Sequence, residues 1–228
     1  MQKSTLDDAA INHKSLVEHI VEKIEQQIID GMLKPGERIV EAALCQKLNI
    51  SRSPLREACR ILESQGYVVR VPRRGVFVAK VSPQEAEDIC RIRANLESLA
   101  TYLAVKKMDP QTLKTMKSLH RRMIKLARNG KVSEYYRLNL KFHKTLTSAC
   151  QNKRLIQMID TFVKQTGRYR VEVLSIPGRL KASIENHEKL IRSIEQGDAE
   201  QAELLRKNTI LNNIPILSEK LIEEGSQT

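Results

Sequence analysis

The stretch LNISRSPLREACRILESQGYVVRVPRRGVFVAK, residues 48–80, decides the fold of this chain. Its first half opens with Ser-Arg-Ser-Pro and continues with apolar residues at helical spacing, and a proline in the first turn costs a helix no hydrogen bond. Its second half holds two short runs rich in β-branched residues, which a Pro-Arg-Arg-Gly turn joins. The stretch therefore predicts a helix followed by a two-stranded hairpin.

Two helices are expected before this stretch. Apolar residues recur at helical spacing over residues 14–30, and Gly31 is placed to end that helix. A Lys-Pro-Gly turn follows, and the segment 41–48 then repeats the helical pattern up to Asn49. Helices, tight turn and hairpin in this order predict a winged helix-turn-helix domain over residues 1–80.

Residues 81–228 lack strand patterns and divide into long helical segments. The breaks between them fall at 109–110, 129–130, 151–152, 176–178 and 197–198. The first segment carries an apolar stripe expected to face the core, formed by Ile89, Ile92, Leu96, Leu99, Ala100 and Leu103. We therefore expect a mainly α protein whose second domain, residues 81–228, is an all-α antiparallel bundle of about six helices.

The composition points to an anionic partner. The net charge is +12, and within residues 47–80 eight basic residues face two acidic ones, which is the footprint of a DNA-binding segment. No apolar run approaches the roughly 20 residues that span a bilayer, and the N-terminus does not resemble a secretory signal. The four cysteines lack metal-ligand spacing and are expected to be reduced and mostly buried. A cytoplasmic protein without membrane contact is expected.

The helix that starts after Ser51 has the groups that a DNA reader needs. Arg52 and Arg56 lie one turn apart on the face opposite the apolar one, where they can reach base edges or phosphates. Ser51 and Ser53 supply short hydroxyl donors at the helix start. With the two arginines of the hairpin turn, these residues predict contacts to double-stranded DNA.

The segment 36–79 resembles the DNA-binding domain of GntR-family regulators. The resemblance rests on the string at 48–58, on LESQG at 62–66 and on RRG at 73–75. It implies a homodimer that binds a palindromic operator. Members often carry a basic or polar contact residue where this chain has Ala42, and alanine cannot make that contact. The expected DNA-contacting residues are Ser51, Arg52, Ser53, Arg56, Arg73, Arg74 and Gly75.

Residues 83–224 resemble the FCD effector domain of the FadR-like subfamily. The matching strings are NLKFH at 139–143, ENHEKLI at 185–191 and QGDAE at 196–200. Many FCD domains hold a divalent metal through one aspartate and three histidines, and the metal in turn holds a carboxylate ligand. The resemblance places these four positions on Asn139, His143, His187 and Asn208. Asparagine therefore replaces two of the four metal ligands.

Two interpretations of this pocket stay open. In the first, the four positions hold zinc, nickel or manganese weakly, because an amide oxygen is a poorer donor than an imidazole or a carboxylate. In the second, the pocket contains no metal, the histidines and asparagines form hydrogen bonds and nearby arginines supply the charge. In either case the expected ligand-binding residues are Arg93, Asn139, His143, Arg168, Arg170, His187 and Asn208.

The expected function is a ligand-responsive transcription regulator, with repression as the expected sign and a small organic or sugar acid as the effector. One alternative is a constitutive DNA-binding regulator whose C-terminal domain only dimerises. Another is a helical metalloenzyme with a DNA anchor. The sequence has no GxSxG or HExxH motif and no glycine-rich phosphate loop, so we do not expect an enzyme.

Overall fold

The computed structural model describes residues 15–225, apart from the side chains of residues 168, 224 and 225. Its N-terminal part contains α1 (Leu16–Ile29), β1 (Arg38–Ile39), α2 (Glu41–Leu48), α3 (Arg52–Ser64), β2 (Val68–Val71) and β3 (Gly75–Val78). Its C-terminal part contains α4 (Pro83–Val105), α5 (Pro110–Arg128), α6 (Val132–Ala149), α7 (Lys153–Gln165), α8 (Gly167–Ser175), α9 (Arg179–Glu195), α10 (Ala199–Leu211) and α11 (Ile214–Gly225). The predicted mainly α fold, with a winged helix-turn-helix before an all-helical part, is confirmed. No helix between residues 15 and 225 has the length and apolar character needed to cross a bilayer.

The wing has three strands rather than the two expected. β3 lies between β1 and β2 in antiparallel pairing, with Phe77 opposite Arg38 on one side and opposite Val69 on the other. The additional strand is two residues long, which is too short for the alternation that identifies a strand in a sequence. A backbone hydrogen bond from Gly36 to Val78, 2.9 Å long, continues this pairing. The wing is thereby tied to the segment between α1 and α2.

The N-terminal part has its own hydrophobic core. The inward faces of α1, α3 and the sheet meet there, and Ile24, Leu55 and Leu62 are completely buried. Asn49 ends α2 in the left-handed conformation, with φ of 51°, as the sequence predicts. This core fixes the orientation of α3 relative to the wing.

The described C-terminal part has eight helices, whereas the breaks in the sequence predict about six. Two expected segments are each divided, one at Thr166 between α7 and α8 and one at Asn212 and Asn213 between α10 and α11. Pro215 explains the second division, because it lacks an amide hydrogen and its ring crowds the carbonyl of the preceding turn. At the first division, the Thr166 hydroxyl accepts a hydrogen bond of 3.0 Å from Arg93 Nη1. The break at Thr166 therefore positions the Thr166 hydroxyl to accept a hydrogen bond from the buried Arg93 side chain.

Helix α4 is the central helix of the C-terminal part. It packs most extensively against α10 and also contacts α6, α7 and α11. Within its expected core stripe, Ile89 and Ala100 are buried, but Ile92 and Leu99 are 43% and 45% exposed. The expectation that these last two residues face the core is wrong. The apolar face of α4 is wider than the surface that its neighbours cover.

The cysteines act as packing residues, as expected. Cys59, Cys90 and Cys150 are buried, Cys45 is partly exposed, and all four are free thiols. Burial raises the pKa of Cys59 to about 11, so that thiol stays protonated at neutral pH and is a poor nucleophile.

Candidate functional site

Helix α3 exposes a basic face. Its apolar residues are buried in the N-terminal core, whereas Arg52, Arg56 and Arg60 are exposed. Arg56 Nε donates a hydrogen bond of 3.0 Å to Glu41 Oε2, which links α3 to the first turn of α2. Arg52 has no carboxylate partner among the described residues. The N-terminal end of α3 therefore presents an unneutralised positive charge to solvent.

The start of α3 is open to an anionic partner. Ser51 takes the N-cap position in extended backbone, with φ of −78° and ψ of 168°, but its side chain makes no capping hydrogen bond. Ser51 and Ser53 are both exposed, so their hydroxyls and the first amides of the helix can donate to a phosphate. Ser51 thus occupies the N-cap position without capping the helix through its side chain, and its hydroxyl stays available.

The wing tip is a tight turn with two positive φ angles. Arg73 has φ of 62° and Gly75 has φ of 111°, and the second value lies in a region that only glycine adopts readily. A Cβ atom at Gly75 would lie 3.3 Å from Arg38 Nε, so the Arg38 side chain lies against the tip. Arg73 and Arg74 are exposed, and the Arg74 guanidinium lies 5.8 Å from the centroid of the Phe77 ring. Arg38 therefore adds a third arginine near the wing tip, which no pattern in the sequence indicates.

The C-terminal part contains a cavity of about 350 Å³ between α4, α6, α8, α9 and α10. This volume suits a small organic ligand. Six of the seven expected ligand-binding residues line it, namely Arg93, Asn139, His143, Arg170, His187 and Asn208. The seventh, Arg168, has a side chain outside the described part of the structure. Helices that are far apart in sequence thus bring the expected residues to one place.

Two neutral histidines face each other in this cavity. Nε2 of His143 lies 3.1 Å from Nε2 of His187 and 3.3 Å from Nη1 of Arg206. Burial lowers the pKa of both imidazoles, that of His187 to about 3, and the Arg206 charge lowers the pKa of His143 further. A guanidinium can only donate, so His143 Nε2 accepts and its own proton lies on Nδ1. His187 then donates from Nε2, which fixes both tautomers.

A buried ion cluster forms the wall beside the histidines. Arg93 donates to Glu97 Oε1 from Nε at 3.0 Å and from Nη2 at 2.8 Å. Arg206 donates to Glu97 Oε2 from Nε at 3.1 Å and also from Nη2. Burial alone would raise the pKa of Glu97, but the guanidiniums of Arg206 and Arg93 outweigh it and lower this pKa to about 2. The carboxylate therefore stays charged and ties α4 to α10.

Arg170 adds a positive charge without a partner of opposite sign. Its guanidinium lies 5.6 Å from the centroid of the Tyr136 ring, and no described carboxylate pairs with it. Burial and the neighbouring Arg93 lower the pKa of Arg170, which means that its charged form is destabilised at this place. The guanidiniums of Arg93, Arg170 and Arg206 exceed the single carboxylate of Glu97 by two charges. The cavity is therefore suited to an anion.

The side chains present do not fit a divalent metal. Among residues 15–225, no three histidine, cysteine or acidic side chains are grouped so that they could hold an ion. The 3.1 Å separation would let His143 and His187 bind one ion together, but Asn139 and Asn208 add only amide donors. Arg206 also lies against the same Nε2 atom of His143 and would repel a dication.

Several residues in or behind the cavity wall were not recognised in the sequence. Glu97 and Arg206 are 109 positions apart, and no local pattern pairs them. The one available signal is the spacing of Arg93 and Glu97, four residues apart within an apolar helix. His120, interpreted from the sequence as a surface or packing residue, is 7% exposed and packs with its ring 5.9 Å from that of His187.

A smaller cavity of about 220 Å³ lies where the N-terminal and C-terminal parts meet. Glu25 and Tyr67 line it from the N-terminal part, and Tyr67 Oη donates a hydrogen bond of 2.6 Å to Glu25 Oε1. His143, Arg170 and Arg206 line both cavities. These three side chains therefore stand between the larger cavity and a space that reaches the winged part.

Two family models match the chain. Residues 16–78 match the bacterial regulatory proteins of the gntR family, and residues 88–211 match the FCD domain. The second match alone covers more than half of the chain.

Curated relatives and a solved structure agree with these matches. The HTH-type transcriptional regulator McbR of Escherichia coli (strain K12) is 27% identical over 210 residues, which is 91% of this chain and 95% of McbR. The solved structure of E. coli McbR/YncC has a TM-score of 0.81 at 26% identity and covers 91% of this chain and 99% of that one. The HTH-type transcriptional repressor GlaR of E. coli (strain K12) is 26% identical over 207 residues, 87% of this chain and 94% of GlaR. The chain therefore belongs to the GntR family of bacterial transcription regulators, and an FCD domain follows its DNA-binding helix-turn-helix.

Proposed function

We propose that this protein is an effector-responsive repressor that binds a palindromic operator as a homodimer and releases it when a small organic or sugar acid enters the larger cavity. The observation that carries the proposal is the cavity of about 350 Å³ with an excess of positive charge, in which no described carboxylate pairs with Arg170. A carboxylate would supply the missing partner. Repression is the proposed sign because the relative GlaR is named a transcriptional repressor.

The DNA contacts of the proposal follow from the exposed basic groups. The N-terminal end of α3 enters the major groove, where Arg52 reads a base edge or binds a phosphate. The exposed hydroxyls of Ser51 and Ser53 and the free helix amides bind phosphate. Arg73 and Arg74 bring the wing, with Gly75 at its tip, against the adjacent backbone or minor groove.

The dimer of the proposal forms through the outer face of α4. Ile92 and Leu99 are seven residues apart, so they lie on one side of the helix, and both are more than 40% exposed. Exposed apolar side chains in a row support a contact with a second subunit. In this arrangement Ile92→Glu yields monomers in light scattering and binds a palindromic operator more weakly than the parent protein does.

Coupling between effector and DNA passes through the side chains that both cavities share. An acid bound to Arg170 draws its guanidinium away from Tyr136 and changes the wall of the smaller cavity, which Glu25 and Tyr67 close from the winged part. The winged domains then reorient, and their spacing no longer matches two half-sites one turn of DNA apart. A coupling free energy of about 1–3 kcal/mol is enough for such a switch.

The test combines operator selection with ligand titration. Duplexes that the purified protein enriches from a random pool supply the operator, and fluorescence anisotropy measures its affinity with and without succinate, citrate, gluconate and related acids. We expect one class of acid to weaken binding by about 5–150-fold. Arg170→Gln loses this response but keeps DNA binding, whereas Arg154→Gln, an exposed arginine on α7, keeps both. If no acid shifts either operator affinity or melting temperature, the protein is a constitutive regulator and the proposal is wrong.

A further inference from the structure

Arg206 occupies an unusual position for a cation. It is 4% exposed, and its guanidinium lies between the carboxylate of Glu97 and the imidazole of His143, with Nη1 3.3 Å from His143 Nε2. Burying a guanidinium is costly unless fixed partners surround it. Here the fork of Arg206 has such partners on both α4 and α6. The side chain is therefore held in one place and presents a positive charge beside the histidine pair.

The histidine pair and Asn139 line the same cavity as this charge. The two Nε2 atoms of the histidines converge within 3.1 Å of each other, and Arg206 lies against one of them. The Oδ1 atom of Asn139 is buried without a hydrogen-bond partner among the described residues. The carboxylate of Glu97 is not free to neutralise a dication, because two arginines already share it. A metal ion would add two charges to a wall that already carries an excess of positive charge.

We infer that the Arg206 guanidinium takes the place of the metal ion in this FCD domain, so that the cavity accepts a carboxylate directly and excludes divalent metals. The inference rests on the proposed function for the identity of the ligand class. It deepens that proposal by naming Arg206 and Arg170, the second of which pairs with no described carboxylate, as the cations that an acid would meet. The two arginines carry a permanent positive charge, so an acid can bind to them without a metal ion having bound first.

The first experiment uses metal alone. The untagged protein is purified without chelators, its content of zinc, nickel and manganese is measured by mass spectrometry, and each metal is then titrated while the melting temperature is followed. We expect far less than one ion per chain and no metal-dependent rise in melting temperature. Retention of about one ion per chain, or a melting temperature that rises with added metal and falls with a chelator, overturns the inference.

The second experiment tests whether Arg206 itself excludes the metal. N139D/N208H restores the acidic and imidazole ligands of the FCD pattern while keeping Arg206, and N139D/N208H/R206Q restores them without the charge. We expect zinc to bind the second variant at least about a hundredfold more tightly, because the guanidinium no longer repels the ion. Equal zinc affinity in the two variants shows that Arg206 does not stand in the place of the metal.

A folding control keeps this comparison interpretable. N139D/N208H/R206K retains the charge with a different shape, and we expect it to exclude zinc like the variant that keeps arginine. If R206Q fails to fold, the metal content and titration of the unmodified protein still decide the inference. A protein that binds no acid at all counts against the proposed function, whereas a protein that binds metal counts against this inference, so the two failures are distinguishable.

Discussion

Replacing Glu97 by glutamine is expected to destabilise the C-terminal domain strongly. The carboxylate is 2% exposed and accepts hydrogen bonds from Arg93 and Arg206. Its pKa of about 2, against an ordinary value of 4.5, corresponds to about 3 kcal/mol of stability at neutral pH, since one unit is worth about 1.4 kcal/mol. The measured cost of removing one partner of a buried ion pair is similar, about 3–5 kcal/mol.

Differential scanning calorimetry of the full chain measures this effect. At about 2–4 °C per kcal/mol for a protein of this size, Glu97→Gln lowers the melting temperature by roughly 10 °C. Glu87→Gln is the matched control, because Glu87 pairs with Arg91 on the same helix at the same spacing but in an exposed position. An exposed pair contributes less than about 1 kcal/mol, so this control melts within a few degrees of the parent.

The pH dependence gives a second measurement of the same effect. The folded-state pKa of Glu97 lies below its ordinary value, so the stabilisation is present above about pH 4.5 and disappears as the pH falls through about 2. The difference between the parent and Glu97→Gln is therefore expected to shrink over that interval. If Glu97→Gln melts no lower than Glu87→Gln at pH 7, the carboxylate does not stabilise the two guanidiniums and the described ion cluster is wrong.

Three further predictions concern DNA, the hydrogen bond between Tyr67 and Glu25, and the histidines. If Arg52 reads a guanine, Arg52→Ala costs about 1–3 kcal/mol of operator-binding free energy and relaxes specificity at one base pair. If affinity instead falls equally for all DNA sequences, and the slope of log affinity against log salt concentration becomes smaller by about 0.9, Arg52 contacts a phosphate. Tyr67→Phe removes the hydrogen bond to Glu25 and costs about 1 kcal/mol in denaturant unfolding; an unchanged midpoint argues against that bond in solution. Because the pKa of His187 is about 3 in the folded protein and near 6.5 when unfolded, the parent loses stability as the pH falls from 6.5 towards 3. His187→Asn flattens this decline in melting curves, and an unaltered decline shows that His187 is not held neutral.

The DNA-binding half of the protein could be predicted because its signals are local. The proline and basic face of α3 and the wing turn all lie within residues 48–80, and each depends on neighbours a few residues away. What the sequence did not show there, β1 and the approach of Arg38 to Gly75, depends on pairing between distant segments. A strand of two residues has no pattern of its own.

The cavity was predicted only in part because its energetics are non-local. The resemblance to FCD domains located His143 and His187, and the structure places them 3.1 Å apart. Arg206 could not be found in this way, because a basic residue on α10 has no feature in the sequence that distinguishes a buried partner of Glu97 from a solvated side chain. The outward position of Ile92 was missed for a related reason, since periodicity identifies an apolar face but not what covers it.

The buried ion cluster also constrains which substitutions the C-terminal part can tolerate one at a time. A lineage that lost Arg206 alone would leave Glu97 with one cationic partner, and breaking a buried pair costs several kcal/mol of the roughly 5–15 kcal/mol that keep a protein folded. Substitutions at positions 97 and 206 are therefore expected to occur together in descent, whereas the exposed Asn208 can change independently. Changing Asn139 and Asn208 alone is therefore not expected to create a metal site, because removing the Arg206 charge as well would break its buried salt bridge to Glu97.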